Sequence, residues 1–179
     1  MIVDCHVHIL NAEDAHLRTL LDAADRCGIH KLCISSLGRN WTEFPSAGEL
    51  EEAASDVAEA CARYPERLIG GVYVSADHVS TSMELLRRYL QPDGCRFVKL
   101  WVSQFADDSR LNPIVACCVE RNAPILAPEL PWERSCIEAP AICRHAGRLF
   151  MFYGGGYNNE PQQIGCAVSD DGVRWTRLS

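Results

Sequence analysis

Residues 1–10, MIVDCHVHIL, place two histidines, His6 and His8, at the end of a short apolar run. The run has the composition of a β-strand, in which side chains alternate between two faces, so we expect Asp4, His6 and His8 on one face. Imidazole nitrogen is a common ligand of divalent metals, and two such ligands on one face are typical of a metal site. Zinc takes three or four ligands, so the pair needs partners from elsewhere in the chain.

Strand-like and helix-like segments alternate up to about residue 127. Ser46 and Glu49 have the spacing of a capping box, and Asn11 is placed to cap the first helix. Alternation of this kind predicts βα units around a parallel sheet, and four units with a fifth strand make just over half of an eight-stranded barrel. In chain order, the predicted strands and helices cover 1–7, 11–28, 30–37, 46–64, 67–75, 80–90, 95–103, 112–122 and 123–129.

The pattern changes after Pro128. Residues 128–135 are a proline-punctuated linker, and residues 136–179 contain short strands separated by turn sequences such as AG, GGYNNEP and DDG. We therefore predict an α/β protein: a partial (β/α) TIM-type half barrel over residues 1–127, the linker, and a small antiparallel β-meander over residues 136–179.

The half barrel places the histidine pair where barrel enzymes carry their active sites, at the carboxyl ends of the strands. In the fourth predicted strand Phe97, Lys99 and Trp101 share a face, so Lys99 is expected to point into the barrel as well. An inward lysine is costly unless it is paired or modified.

The net charge and the composition indicate which binding partners and which cellular compartment to expect for this protein. The net charge of −7 argues against nucleic-acid binding, because phosphate backbones need a basic surface. The sequence contains no apolar run long enough to span a membrane and no signal-peptide pattern, and its ten cysteines include no Cys-x-x-Cys pair. We expect a cytoplasmic protein with reduced thiols, no membrane partner and a small-molecule substrate.

The segment IVDCHVHI (2–9) is similar to the Asp-x-His-x-His opening of the amidohydrolase superfamily. RYPERLIGGVYVS (63–75) and GCRFVKLW (94–101) resemble the amidohydrolase-related group that includes aminocarboxymuconate-semialdehyde decarboxylase-like enzymes. This resemblance, over residues 1–127, implies a TIM-type barrel with a catalytic divalent metal, usually zinc, that hydrolyses or decarboxylates small molecules. It implies that His6 and His8 are metal ligands, and Lys99 matches a position that is carboxylated in some branches.

The same family pattern includes histidines on the fifth and sixth barrel strands and an aspartate on the eighth. The fifth predicted strand here, APILAPE (123–129), has no histidine, and the sequence after it has no counterpart of the last three barrel strands. By that pattern, one copy of this chain does not supply a complete ligand set.

The C-terminal segment resembles one blade of the five-bladed β-propeller glycoside hydrolases, through IEAP (137–140), GRLFMFYGGG (147–156) and IGCAVSDDG (164–172). The resemblance implies that Glu138 occupies the position of a general acid. Glycoside hydrolysis needs a second carboxylate across the scissile bond, and in a propeller it comes from other blades.

Three functions remain open at the level of sequence. The first is a metal-dependent hydrolase of the amidohydrolase type, and the second is a catalytically inactive truncated or fused remnant or interaction module. The third is a carbohydrate-binding or glycosidase-like protein acting through the C-terminal segment. A half barrel leaves two sheet edges open, so we expect the meander or a second copy of the chain, in a homo-oligomer, to cover one of them.

Overall fold

The computed structural model describes residues 2–91, 94–101, 108–120, 130–133, 137–156, 161–172 and 174–178, with residues 137–139 described through their backbone only. The helices are α1 Asp14–Arg26, α2 Ala47–Arg63, α3 Val79–Tyr89 and α4 Asn112–Glu120. The strands are β1 Ile2–His8, β2 Lys31–Ser35, β3 Leu68–Tyr73, β4 Phe97–Lys99, β5 Ile137–His145, β6 Arg148–Gly155, β7 Gln163–Ser169 and β8 Thr176–Arg177.

These strands form one mixed sheet in the order β4-β3-β2-β1-β5-β6-β7-β8. The strands β1 to β4 run parallel to their neighbours, as the alternating pattern predicts, and β5 to β8 form an antiparallel meander. The two parts meet where β5 pairs antiparallel with β1, with Ile142 opposite Val3. One edge of the parallel half is therefore covered by the meander.

The main core lies between the parallel strands and the helices. Leu17 and Leu21 of α1 and Leu50 of α2 are buried in it, together with Leu32 and Ile34 of β2. Leucine at such helical spacing forms an apolar stripe, and burying that stripe against a sheet is the usual source of stability for a βα unit. A second, smaller cluster in the meander contains Met151, Tyr153 and Ala167.

Of the two helix caps that the sequence predicts, one is present in the structure and the other is not. The capping box of α2 is present, since Glu49 N–H donates to Ser46 Oγ and Ser46 N–H donates to Glu49. The prediction that Asn11 caps α1 is wrong, because α1 begins at Asp14. Asn11 Oδ1 instead accepts from the N–H of Glu13, an Asx turn just before the helix.

Several predicted segments differ from the observed ones or fall outside the described residues. The fourth strand is shorter than predicted, since β4 covers Phe97–Lys99 rather than 95–103. The predicted strand 123–129 and most of the linker, 128–135, lie outside the described residues. None of the helices in the described part of the chain has the length and apolarity that crossing a bilayer requires.

Candidate metal centre

The two histidines of the opening motif lie at the carboxyl end of β1. His8 is the last residue of β1 and pairs in register with Ser35, the last residue of β2. Parallel neighbours that end together bring their last side chains to the same edge of the sheet. His6 is exposed and His8 is partly buried, so the pair lies at the rim of the sheet, where a ligand can reach it.

The two imidazole rings are close enough to share one metal ion. His6 Nε2 and His8 Nε2 are 3.1 Å apart, and the ring planes are inclined by 83°. Two nitrogens bound to tetrahedral zinc at their usual distance of 2.0–2.1 Å are separated by about 3.3 Å. The side chains therefore already have the spacing of two ligands on one divalent metal ion.

Ser35 orients the second ring. Ser35 Oγ lies 3.1 Å from His8 Nδ1, which directs Nε2 of the same ring towards His6. A contact of this kind on the far ring nitrogen is the usual means by which a ligating histidine is held in one orientation. Ser35 was not predicted as a site residue, although it lies near the carboxyl end of the second predicted strand, 30–37.

The protonation state of His8 suits metal binding. The pKa of His8 is lowered from 6.5 to about 4, mainly by burial and also by the positive charges of Lys99 and His6, against a smaller opposing effect of Ser35. At neutral pH the ring is therefore uncharged, which is the form that ligates metals.

Asp4 does not join the histidines. The pairing of β1 with β2 shifts by one residue between Asp4 and Val7, so Asp4 pairs with Leu32, whose side chain belongs to the helix-facing core. The expectation that Asp4 shares a face with His6 and His8 is wrong because this bulge interrupts the alternation of the strand. The Asp4 carboxylate accepts a hydrogen bond from the backbone N–H of His6 at 3.0 Å instead.

Lys99 reaches the pair from the other end of the parallel half. It ends β4, pairs in register with Tyr73 of β3, and places Nζ 3.3 Å from His6 Nε2. The sequence-based expectation that Lys99 faces the same side as the histidines agrees with this geometry. The site thus combines two imidazoles with one ammonium group, which suits an anionic ligand bound beside a metal.

The loop after β2 places an aromatic side chain, Trp41, beside His8, and the sequence did not predict this contact. The Trp41 ring lies 5.5 Å from the His8 ring, centroid to centroid, at an interplanar angle of 74°. Trp41 has a backbone φ of 48°, which is rare for a bulky side chain. No pattern in the sequence marks this position, because Trp41 lies in an irregular segment.

The remaining predicted site residues lie elsewhere. Glu138 belongs to β5, where its backbone pairs with Gly154, and its side chain lies outside the described residues. Among the described residues, no group of three or more His, Cys, Asp or Glu side chains is arranged to hold a metal ion. In the described part of the chain, a metal ion at this position would have only two ligands of these residue types, His6 and His8, with Lys99 beside them.

The solved structures that resemble this chain include two decarboxylases. One is 5-carboxyvanillate decarboxylase from Novosphingobium aromaticivorans, a structure with bound manganese, at a TM-score of 0.51 and 23% identity. The other is 2,6-dihydroxybenzoate decarboxylase from Rhizobium, at a TM-score of 0.52 and 17% identity. At these identities the likeness describes the fold, and it agrees with part of a TIM-type barrel.

The likeness covers only part of each enzyme. It spans 60% of this chain and 32% of the first enzyme, and 72% of this chain and 49% of the second. The chain therefore matches about a third to a half of the length of these enzymes. No protein-family model matches the chain, and the search of curated proteins returned no significant match.

Proposed function

We propose that this chain binds a divalent metal through His6 and His8 and acts as a metal-dependent, amidohydrolase-type enzyme on a small anionic molecule. The observation that carries the proposal is the pair of Nε2 atoms 3.1 Å apart at the carboxyl end of β1. Two further facts support it: the amidohydrolase-like opening motif in the sequence, and the fold likeness to decarboxylases, one of them with bound manganese.

Each residue of the site has a distinct task in this proposal. His6 and His8 hold the metal, and Ser35 keeps the His8 ring oriented. Lys99 lies beside the metal position and attracts the anionic group of the substrate. A bound divalent metal supplies Lewis-acid polarisation of a substrate or water oxygen.

The fold neighbours favour an aromatic carboxylate as the substrate class, because the name of each enzyme gives a substituted benzoic acid as its substrate. Either hydrolysis or decarboxylation is compatible with the amidohydrolase resemblance. Zinc and manganese are both candidates for the metal, since two imidazoles accept either.

The first experiment measures metal binding rather than turnover. We expect the wild-type chain, after dialysis against Mn²⁺ or Zn²⁺, to retain about one metal ion per chain, and the His6→Ala/His8→Ala variant to retain almost none. The matched control is His145→Ala, which removes an exposed histidine at the end of β5. Equal metal content in the double variant and in the wild type would falsify the assignment.

A second candidate function is a metal-binding module without turnover. It is favoured by the lack of a third acidic, histidine or cysteine ligand among the described residues. The two candidates differ in one measurement on the metal-loaded protein, the release of CO₂ from 2,6-dihydroxybenzoate or related acids. Metal binding without product formation on any such acid supports the binding module.

A further inference from the structure

The loop between β2 and α2 presents a large aromatic side chain to solvent beside the metal position. Trp41 is 48% exposed, although an indole contributes much to stability when it is buried. Its backbone φ of 48° lies in the left-handed region, which bulky residues rarely adopt. Such conformations persist where the surrounding structure holds them, and they concentrate at binding and active sites.

The surrounding structure does hold this loop. Trp41 N–H donates to the carbonyl of Gly38 at 3.3 Å, and the Tyr73 hydroxyl donates to the carbonyl of Thr42 at 3.3 Å. On the other side, Asn40 Nδ2 donates to Glu49 Oε1 at 3.1 Å, in the first turn of α2. The chain on both sides of Trp41 is therefore held by hydrogen bonds.

The indole and the ammonium group lie near opposite histidines. Trp41 contacts the ring of His8, at 5.5 Å between centroids, whereas Lys99 Nζ lies 3.3 Å from His6 Nε2. A ligand bound at the histidine pair therefore has a cation near His6 and an aromatic ring near His8. A flat unsaturated ring with a carboxylate matches this arrangement, because aromatic rings stack on indole and carboxylates pair with ammonium groups.

We infer that Trp41 is the specificity-determining residue of the site, the one that distinguishes a flat ring from a saturated ring in the acid it binds. The inference rests on the proposed function for the location of the carboxylate, and it assigns the selection of the ring to the β2–α2 loop. Trp41 contacts the ligand and takes no part in bond breaking.

The test compares two acids that differ in flatness and share their charge and carbon number, benzoate and cyclohexanecarboxylate. Their dissociation constants are measured by calorimetry on the full chain, both metal-loaded and metal-free. We expect the wild type to prefer benzoate by about fivefold, and Trp41→Leu to bind the two acids equally, through loss of benzoate affinity alone. Trp41→Phe keeps an aromatic face and retains more than half of the preference.

Two further variants control for folding and for general loop effects. Trp41→Gly removes the ring and accepts the positive φ without strain, so it reproduces the loss of preference in a relaxed loop. Phe44→Leu removes the other exposed aromatic ring of the loop, which is 67% exposed, and keeps the wild-type preference. Thermal unfolding shows that each variant is folded at the assay temperature.

The outcomes separate this inference from the proposed function. A wild-type preference that persists in Trp41→Leu and Trp41→Gly overturns the inference, and so does the absence of any preference in the wild type. If the wild-type chain does not bind Mn²⁺ or Zn²⁺, the proposed function is overturned. In that case the titrations of the metal-free chain with the two acids still test the role of Trp41. Failure of both acids to bind in either form also overturns the inference.

Discussion

At the scale of single residues, the candidate site depends on small departures from regular strand geometry. His6 and His8 meet at 3.1 Å, and a bulge in β1 puts Asp4 out of step with them. The alternation of the strand predicted that His6 and His8 lie together, which the structure shows, and placed Asp4 wrongly; metal binding by the pair stays a prediction. Side chains alternate strictly between two faces only in a regular strand. One inserted residue moves the side chains beyond it to the opposite face from the one that alternation predicts.

The pKa of His8 leads to a prediction about acid stability. Burial, together with the charges of Lys99 and His6, holds the pKa at about 4 in the folded chain, against 6.5 for an unperturbed ring. The unfolded chain therefore binds more protons between pH 6.5 and pH 4, so the folded state loses stability as the pH falls through this range. The stability that the lowered pKa of His8 gives to the folded state is fully present above pH 6.5. Because the ring is partly exposed, solvent screening makes this stabilisation smaller than the pKa shift alone implies.

We expect the metal-free chain to show a steeper fall in its free energy of unfolding from pH 6.5 to pH 4 than the His8→Asn variant. The measurement is urea denaturation at a series of pH values in the presence of a chelator. The His145→Ala variant, which lacks an exposed histidine, should follow the wild-type curve. Parallel curves for the wild type and His8→Asn would show that His8 titrates normally in the folded state.

At the scale of elements, the sequence signals that succeeded are local ones. The capping box of Ser46 and Glu49 starts α2 as predicted, because both partners of the two hydrogen bonds lie within one turn. The Ala146–Gly147 turn joins β5 and β6 as predicted, with His145 opposite Arg148. The approach of Trp41 and Lys99 to the histidines was harder to predict, since it depends on how separate elements pack.

The same β5–β6 hairpin offers a stabilising substitution. Its two-residue turn has positive φ at both positions, 48° at Ala146 and 82° at Gly147. Turns of this geometry favour Asn-Gly, because asparagine tolerates the left-handed region better than alanine does. We expect Ala146→Asn to raise the free energy of unfolding by about 0.5–1 kcal/mol.

Thermal and urea denaturation measure this effect, with Ala146→Val as the matched control. A β-branched residue is strained further at positive φ, so Ala146→Val should lower the melting temperature. If Ala146→Asn and Ala146→Val shift stability in the same direction, the turn does not have positive φ at both of its positions.

At the scale of the whole molecule, the sheet joins two segments with different sequence character. The parallel half continues through β1 into the antiparallel meander, so the covered edge of β1 depends on β5. Among the described strands, those before the change of composition near residue 128 pair in parallel with one another, and those after it pair antiparallel. The sequence did not predict the joining pair, because antiparallel contact between Val3 and Ile142 leaves no local pattern in either strand.

A buried ion pair between Glu133 and Arg177 links the segment before the meander to its last strand. Glu133 is 0% exposed, and its Oε1 accepts from Arg177 Nε and from the Tyr153 hydroxyl, each at 2.7 Å. Its Oε2 accepts from the N–H of Leu130 at 2.8 Å. These contacts tie the segment before β5 to β6 and to β8, which is the last strand of the sheet.

Removing one partner of this pair leaves a buried charge without its counterion. We expect Arg177→Met to lower the free energy of unfolding by about 3–5 kcal/mol, and Glu133→Gln combined with Arg177→Met to recover part of that loss, because the double variant buries no charge. Urea denaturation of the full chain measures both variants. The matched control is Arg174→Met, whose side chain is 91% exposed in its pair with Asp171 and whose removal should leave the melting temperature unchanged. A loss equal in Arg177→Met and Arg174→Met would mean that the Glu133 pair does not hold the end of the sheet.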